Sequence, residues 1–211
     1  MRNIMAFLKK IKQHGTVGII KEILAKYLKT RIMKLHYLKA QINYNKSKAE
    51  IDNLEFEIKE LIYDDFLLGD KTVFNPEKLD LIRERCNDDS YKAYGIISNN
   101  ILLYSTWISL EKLGLPIKSK FKLYVDEGLL EDSYCHPSAR GKGLHSKMNF
   151  FRLSKLYELG KTKCVAIVLN GNTPAFKVQF KSGFEELGIF YAGEVLGIPF
   201  TTLNKKKYDR R

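Results

Sequence analysis

The sequence predicts an α/β (α+β) protein. It reads as a mixed sheet with parallel strands at its centre, flanked by helices, behind an N-terminal basic helical extension. Three observations predict this. The second half of the chain runs strand, glycine turn, helix, buried strand, helix, strand, an order that makes a crossover unit with neighbouring parallel strands. The middle carries two apolar, aromatic-rich runs on either side of Asn99-Asn100, the pattern of a β-hairpin. Charge is divided unevenly: residues 1–50 hold 12 Lys/Arg against Glu22 and Glu50, a net of +10, whereas the other 161 residues carry a net of only +2.

Composition removes several classes. With 45% hydrophobic and 28% charged residues, the chain has the means to bury a core, which argues against wholesale disorder. Its three cysteines, Cys86, Cys135 and Cys164, are odd in number and far apart, against a disulfide framework or a structural zinc site. They point to a reduced, cytoplasmic setting. No run of 18 apolar residues exists to span a membrane, and "NIMAFL" is cut short by Lys9 and Lys10, unlike a signal peptide.

In chain order, residues 1–45 read as helix, break, helix. Ile19, Ile20, Ile23, Leu24, Tyr27, Leu28 and Ile32 recur at helical spacing, with Lys21, Lys26, Lys29 and Arg31 mostly on the other side. Such a helix has three uses. It can dock on the body with its basic face solvated, lie on an anionic membrane surface through residues 1–40, or bind nucleic acid. Sparse aromatics and arginines count against the last. The polar stretch "YNKSKAEIDN" marks a boundary, so a second unit is expected over 46–211. "LEFEIKELI" alternates as a half-buried strand does. "NPEKLDLIRERCNDD" is a helix with Asn75 as N-cap and Pro76 at its first position.

"GLLEDSYC" reads as a strand ending at Pro137. Residues 143–159 read as a helix with a buried stripe of Leu144, Met148, Phe151, Leu156 and Leu159, closed by Gly160. "CVAIVLN" has the continuous apolar character of a strand buried on both faces. "NTPAFKVQFKSGF" is a short helix stopped at Gly183, and "EELGIFYAGEVLG" is further strand with a turn expected at Ala192-Gly193.

The chemistry concentrates at "HPSARGKGLHSKMNF", residues 136–150. In a crossover unit a ligand lies off the strand ends against the helix N-terminus, and here that terminus carries Arg140, Gly141, Lys142 and Gly143. Glycines admit an anion close to the backbone, and the unpaired N–H groups, the helix dipole and two cations favour negative charge. It is neither a P-loop, for His136 stands where the first glycine would be, nor a dinucleotide fingerprint, whose third glycine is Ser146.

"YCHPSARGKGL" resembles the acetyl-CoA motif of the Gcn5-related N-acetyltransferases, where a strand end and Pro precede Arg/Gln-x-x-Gly-x-Gly/Ala. "NTPAFKVQFKSGF" resembles that family's second signature, matched by Asn172, Ala175, Gly183 and Phe184. The resemblance covers roughly residues 50–204. It implies a mostly antiparallel sheet whose central parallel pair is splayed, with acetyl-CoA or another acyl-CoA as co-substrate and no metal. The diphosphate would sit on the amides of Arg140, Gly141, Lys142, Gly143, Leu144 and His145, with Asn172 and Ala175 completing the site. Pantetheine would run between strands 128–135 and 164–170. An amide near Tyr134 or Cys135 would polarise the thioester carbonyl.

Glu131 and Asp132, one on each strand face, are the candidate bases. Tyr134, Tyr104 and Tyr191, or water, are the candidate acids, because Gln179 stands where the family often has a tyrosine. His145 also departs from the pattern, which has glycine or alanine there. The implied activity is acetyl transfer to an amine of a small molecule or sugar, cell-surface polysaccharide precursors among them, at the inner membrane surface. The alternatives are a protein or peptide amine as acceptor, or a non-catalytic module of the same fold that binds coenzyme A or a membrane.

Overall fold

The structure, a computed structural model, describes residues 31–52, 55–113 and 123–202. In chain order the elements are β1 (Arg31–Gln41), α1 (Tyr44–Ile51), β2 (Lys59–Glu60), α2 (Tyr63–Phe66), α3 (Pro76–Cys86), β3 (Tyr91–Ser98), β4 (Ile101–Ser109), β5 (Glu127–Cys135), α4 (Leu144–Glu158), β6 (Lys163–Leu169), α5 (Thr173–Lys181), β7 (Glu185–Val195) and β8 (Ile198–Thr201). The strands form one sheet in the order β2-β3-β4-β5-β6-β1-β7-β8. Every neighbouring pair is antiparallel except β5 and β6, which run parallel.

The N-terminal boundary is corrected. Residues 1–30 lie outside the described residues, but the helical extension expected up to residue 45 does not hold from residue 31 onward. Arg31–Gln41 is a strand inserted between β6 and β7 and paired with both. Burial explains it: Leu35, His36, Tyr37 and Leu38 are buried in succession, as in a strand covered on both faces. Among the described residues of "LEFEIKELI", the expected strand is reduced to Lys59–Glu60 at the sheet edge, with Leu61 N bonding to the Ala93 carbonyl just beyond it.

The hairpin forms as expected. Asn99 and Asn100 both take positive φ, at 50° and 60°, the conformation a two-residue turn needs and asparagine tolerates. Asn75 caps α3 by accepting from the Lys78 amide at 2.9 Å. α4 ends at Glu158 with Gly160 at φ 81°, a left-handed residue just past the helix. Its buried face is Leu144, Met148, Phe150, Leu153 and Leu156; Phe151 is only partly buried and Leu159 is exposed. No turn occurs at Ala192-Gly193, which lies inside β7 paired to β1 and β8; the chain reverses at Leu196-Gly197 instead.

Three apolar clusters pack along the sheet among the described residues, one of them Leu35, Tyr37, Leu129, Val165, Phe190 and Ala192 on β1, β5, β6 and β7. Residues from α4, β6 and the hairpin form a second, with α1 against it. Phe66, Phe74, Ile82, Leu102 and Trp107 form another, with α2 and α3 over β3 and β4. Gly128 sets the height of α4 above the sheet: a Cβ there would stand 2.3 Å from Leu156 Cδ2, so only glycine lets the helix approach this closely.

Candidate functional site

β5 and β6 pair over only four positions, from Glu127 with Lys163 to Leu130 with Ala166, and then diverge. The cause is local. Trp107 faces Glu131 and Ser105 faces Tyr134, so Thr106 of β4 opposes both Asp132 and Ser133. This is a β-bulge, and Asp132 within it has φ 50°. A bulge bends its strand and leaves a residue unpaired in the ladder. The result is a cleft of about 400 Å³ between the strands, lined among others by Leu130, Glu131, Arg152, Ala166, Asn172 and Gln179.

The cleft opens toward the loop before α4. Arg140 Nε donates to the Cys135 carbonyl at 3.2 Å and folds the loop back on the end of β5. Gly141 and Gly143 have φ 78° and 70°, and an added Cβ would meet nothing within 4 Å at either. Their role is therefore conformational, and the space above them is open. Ser146 and Lys147 make the first helical bonds, both to the Gly143 carbonyl, so the amides just ahead of them have no partner within the helix. Lys142 projects near the Phe56 ring, while the Leu144 side chain is buried and offers only its amide. Asn172 caps α5 by accepting from Ala175 N at 3.3 Å, and both residues line the cleft.

His145 fits where glycine or alanine was expected because its ring turns into the protein. Tyr104 OH and the His145 Nδ1 share a hydrogen bond at 2.5 Å, and burial together with the Arg152 charge pushes the His145 pKa down to about 4. The imidazole is therefore neutral at physiological pH. Burial raises the Tyr104 pKa, which keeps the phenol protonated.

Glu131 and Asp132 do not point to opposite faces. The bulge turns both toward α3, where Arg85 reaches Glu131 Oε2 at 3.0 Å and Asp132 Oδ2 at 3.1 Å. Lys78 Nζ also contacts Asp132 Oδ2, at 2.5 Å. Glu131 keeps Oε1 without a hydrogen bond, and burial raises its pKa against the opposing pull of Arg85. Asp132 and Ser133 line a second cavity as well, a pocket of about 80 Å³ on the α3 side with Lys78, Trp107 and Tyr134. The two cavities thus meet at the bulge.

Tyr134 lies in that second pocket, edge-on to Phe74, and not in the cleft between β5 and β6. Tyr134 and Cys135 are in register with Ser105 and Tyr104, so the residues released from the ladder are Asp132 and Ser133 instead. Tyr191 is exposed on β7. Cys135 and His136 do not pair: the thiol is turned to the His136 carbonyl, and the His136 ring engages Ser138. Among the described residues no group of three His, Cys, Asp or Glu is placed to hold a metal ion.

Sequence reasoning overlooked Arg152. It is 1% exposed and lines the cleft, and its NH2 donates to Asn149 Oδ1 at 2.8 Å. NH1 makes long contacts to the carbonyls of Trp107 and Glu131, at 3.5 and 3.4 Å. Asn149 Nδ2 in turn donates to Gln179 Oε1 at 3.2 Å and to Ser182 Oγ at 2.7 Å. A signal was present: Arg152 falls midway between Met148 and Leu156 on the buried stripe, where a charge needs a reason.

No protein-family model and no curated protein matches the sequence. Solved structures match its fold. A structure assigned to the GNAT family from Novosphingobium aromaticivorans shares 15% identity at a TM-score of 0.54, over 77% of this chain and 64% of that one. A GCN5-related N-acetyltransferase-like protein from Streptococcus suis shares 14% at 0.55, over 86% and 68%. An acetyltransferase of the GNAT family from Colwellia psychrerythraea shares 14% at 0.55, over 84% and 62%. The chain therefore spans about two thirds of the length of these neighbours. Its mixed sheet, its single parallel pair parting at a bulge and its helices on both faces are the fold of the Gcn5-related N-acetyltransferases.

Proposed function

We propose that the chain is an acyl-CoA-dependent N-acyltransferase. The observation that carries this reading is the cleft itself: two parallel strands part at a bulge, and a glycine loop with free amides stands at the mouth. A diphosphate would lie on the amides of Gly141 to His145, which carry partial positive charge from the helix terminus. The pantetheine arm would follow the open edges of β5 and β6 beyond Leu130 and Ala166, whose ladder groups are free to pair with it.

The acceptor amine would enter from the pocket of Trp107 and Tyr134, since the two cavities meet at Asp132 and Ser133. A neutral amine attacks the thioester carbon there, the C–N bond forms, the C–S bond breaks and the sulfur leaves with the electron pair. The bulge amides, released from β4, are the donors available to the carbonyl oxygen. Glu131 is the base of choice because one carboxylate oxygen is unengaged and burial has raised its pKa, both of which suit proton acceptance near neutral pH. Asp132 is held by two cations and serves to fix the bulge. Holding the reactants together in this way supplies on the order of 7 kcal/mol of the barrier lowering.

The acceptor is an amine of a small molecule or sugar. Support comes from the small volume of the acceptor-side pocket, about 80 Å³, which suits a compact group better than a polypeptide. A fold neighbour with 12% identity and a TM-score of 0.55 contains a GCN5-related glucosamine N-acetyltransferase region. The test is thiol release from acetyl-CoA in the presence of a panel of amino sugars, small amines and lysine peptides. Release with a small amine and not with peptides supports the reading. No calorimetric binding of coenzyme A would overturn it.

The basic segment before residue 31 is proposed to hold the chain at an anionic membrane surface, in a cytoplasmic setting. Its net charge supports this reading. Salt-sensitive binding of the full chain to anionic vesicles is the check, and failure to bind them at low salt would remove the idea.

A further inference from the structure

Three cations and two carboxylates surround the point where β5 and β6 part. Lys78 and Arg85 are taken up by Asp132 and Glu131. Among the described residues no carboxylate pairs with Arg152, whose Nε has no hydrogen-bond partner although the residue is buried and lines the cleft. His145, the other basic group facing it, is neutral. The bottom of the cleft thus holds one surplus positive charge, out of water, with an unused donor. Such a charge is expensive to bury alone, which makes its retention informative.

The neighbouring amides add to this. A guanidinium only donates, so Asn149 presents Oδ1 to Arg152 and its NH2 to Gln179 and Ser182. Gln179 therefore presents Oε1 to Asn149, and its own NH2 is the group left for the cleft it lines. Arg152 and Gln179 both line the cleft, and Arg152 Nε–H and the Gln179 NH2 are the donors they have left to offer. Arg152 lies eight residues into α4, on the order of 12 Å along the helix from the loop at the mouth. A coenzyme A thioester that enters with its diphosphate on that loop delivers its acyl group to this end.

We infer that the cleft is built for an acyl group that itself carries a carboxylate, such as the succinyl or malonyl class of acyl-CoA, read by Arg152 and Gln179. This inference rests on the proposed acyl-CoA function. An acetyl methyl group would leave the guanidinium donor unpaired, whereas a carboxylate accepts from both groups and balances the charge. The negative charge of Glu131 does not oppose it, because Arg85 already neutralises that carboxylate.

Calorimetric titration of the full chain with coenzyme A, acetyl-CoA and succinyl-CoA separates the possibilities. The expected result is succinyl-CoA binding at least about tenfold tighter than acetyl-CoA. Arg152→Met is expected to bring the two within about twofold while coenzyme A still binds, and Arg152→Lys to keep part of the preference. The wild-type comparison stands even if a variant does not fold. Equal affinities, or an acetyl preference, would overturn the inference while leaving the acyl-CoA reading intact. So would an Arg152→Met variant that slows transfer from both donors equally without changing their relative affinity, since the guanidinium would then serve the departing sulfur. Absence of any coenzyme A binding would sink both.

Discussion

Replacing Gly143 by aspartate tests the anion loop with two effects that separate. The residue caps α4 at φ 70°, and an added Cβ meets no atom within 4 Å. No steric clash is therefore introduced, and the loss of stability is the left-handed backbone penalty alone, about 1 kcal/mol. Binding suffers for another reason. A carboxylate about 5 Å from a diphosphate repels it by roughly 2 kcal/mol even at the dielectric of water, or about 30-fold in affinity. Gly143→Ala carries the same backbone penalty without the charge. Thermal melts of the free proteins should place both variants below wild type, Asp the less so because the helix terminus favours its charge. Titration with coenzyme A should show Ala within about threefold of wild type and Asp weakened about 30-fold. If Asp binds as well as Ala, the loop does not hold the diphosphate and the argument from the helix terminus fails.

Other consequences are more local. Gly128→Ala drives a Cβ to 2.3 Å from Leu156 and should cost about 1–3 kcal/mol, read as a lower melting temperature; an unchanged melt would mean that α4 shifts freely over the sheet. Glu131→Gln should abolish most turnover and remove the acid limb of the kcat/KM profile, which should lie above the ordinary carboxylate range because burial raises this pKa. A surviving acid limb in the variant assigns the base elsewhere. His145 has a folded pKa of about 4, below its ordinary 6.5, so between those values the unfolded chain takes up a proton that the folded chain refuses. Stability should fall by roughly 2–3 kcal/mol as pH drops through that window and level off below it. His145→Gln should lose less than wild type between pH 7 and pH 4 in urea titrations, and an equal loss would contradict the buried neutral ring.

The motif-bearing half was legible because its signals are local. Glycines needing positive φ, the Asn75 and Asn172 caps, the Asn99-Asn100 turn and the apolar run of β6 each act through near neighbours. β1 was not legible. Ile32 continues the helical spacing of residues 19–28, and the lysines around it read as the polar face of the same helix. What makes Arg31–Gln41 a strand is pairing with 163–169 and 185–194, more than a hundred residues away, and local pattern carries no trace of that. The same holds within the site. Asp132 and Glu131 do line the cleft, but strand alternation put them on opposite faces, and a bulge is set by register with β4. Arg152 could have been found from its place on a buried stripe. Its missing carboxylate partner could not, because that depends on where α3 brings Lys78 and Arg85.

β1 also explains how the cleft can exist. The sheet is two half-sheets, β2-β3-β4-β5 and β6-β1-β7-β8, joined by four parallel positions. A strand that parts from its neighbour normally leaves an edge with little to hold it. β6 is held instead along all seven of its residues by β1, from Leu35 with Leu169 to Gln41 with Lys163. β5 is likewise held by β4 on both sides of the bulge. Each wall of the cleft is therefore fixed from outside, and α4 ties the two together, packing on β5 at Gly128 and sharing a core with Cys164, Ala166 and Val168 of β6. Removing residues 31–41 would take away the outer partner of β6 and not merely an appendage. The walls would be free to close by extending their own ladder past Leu130 and Ala166, and the backbone groups now open along the cleft would be spent on each other. The strand Arg31–Gln41 and the cleft thus belong to one unit, because the strand holds β6 in place while the cleft stands open.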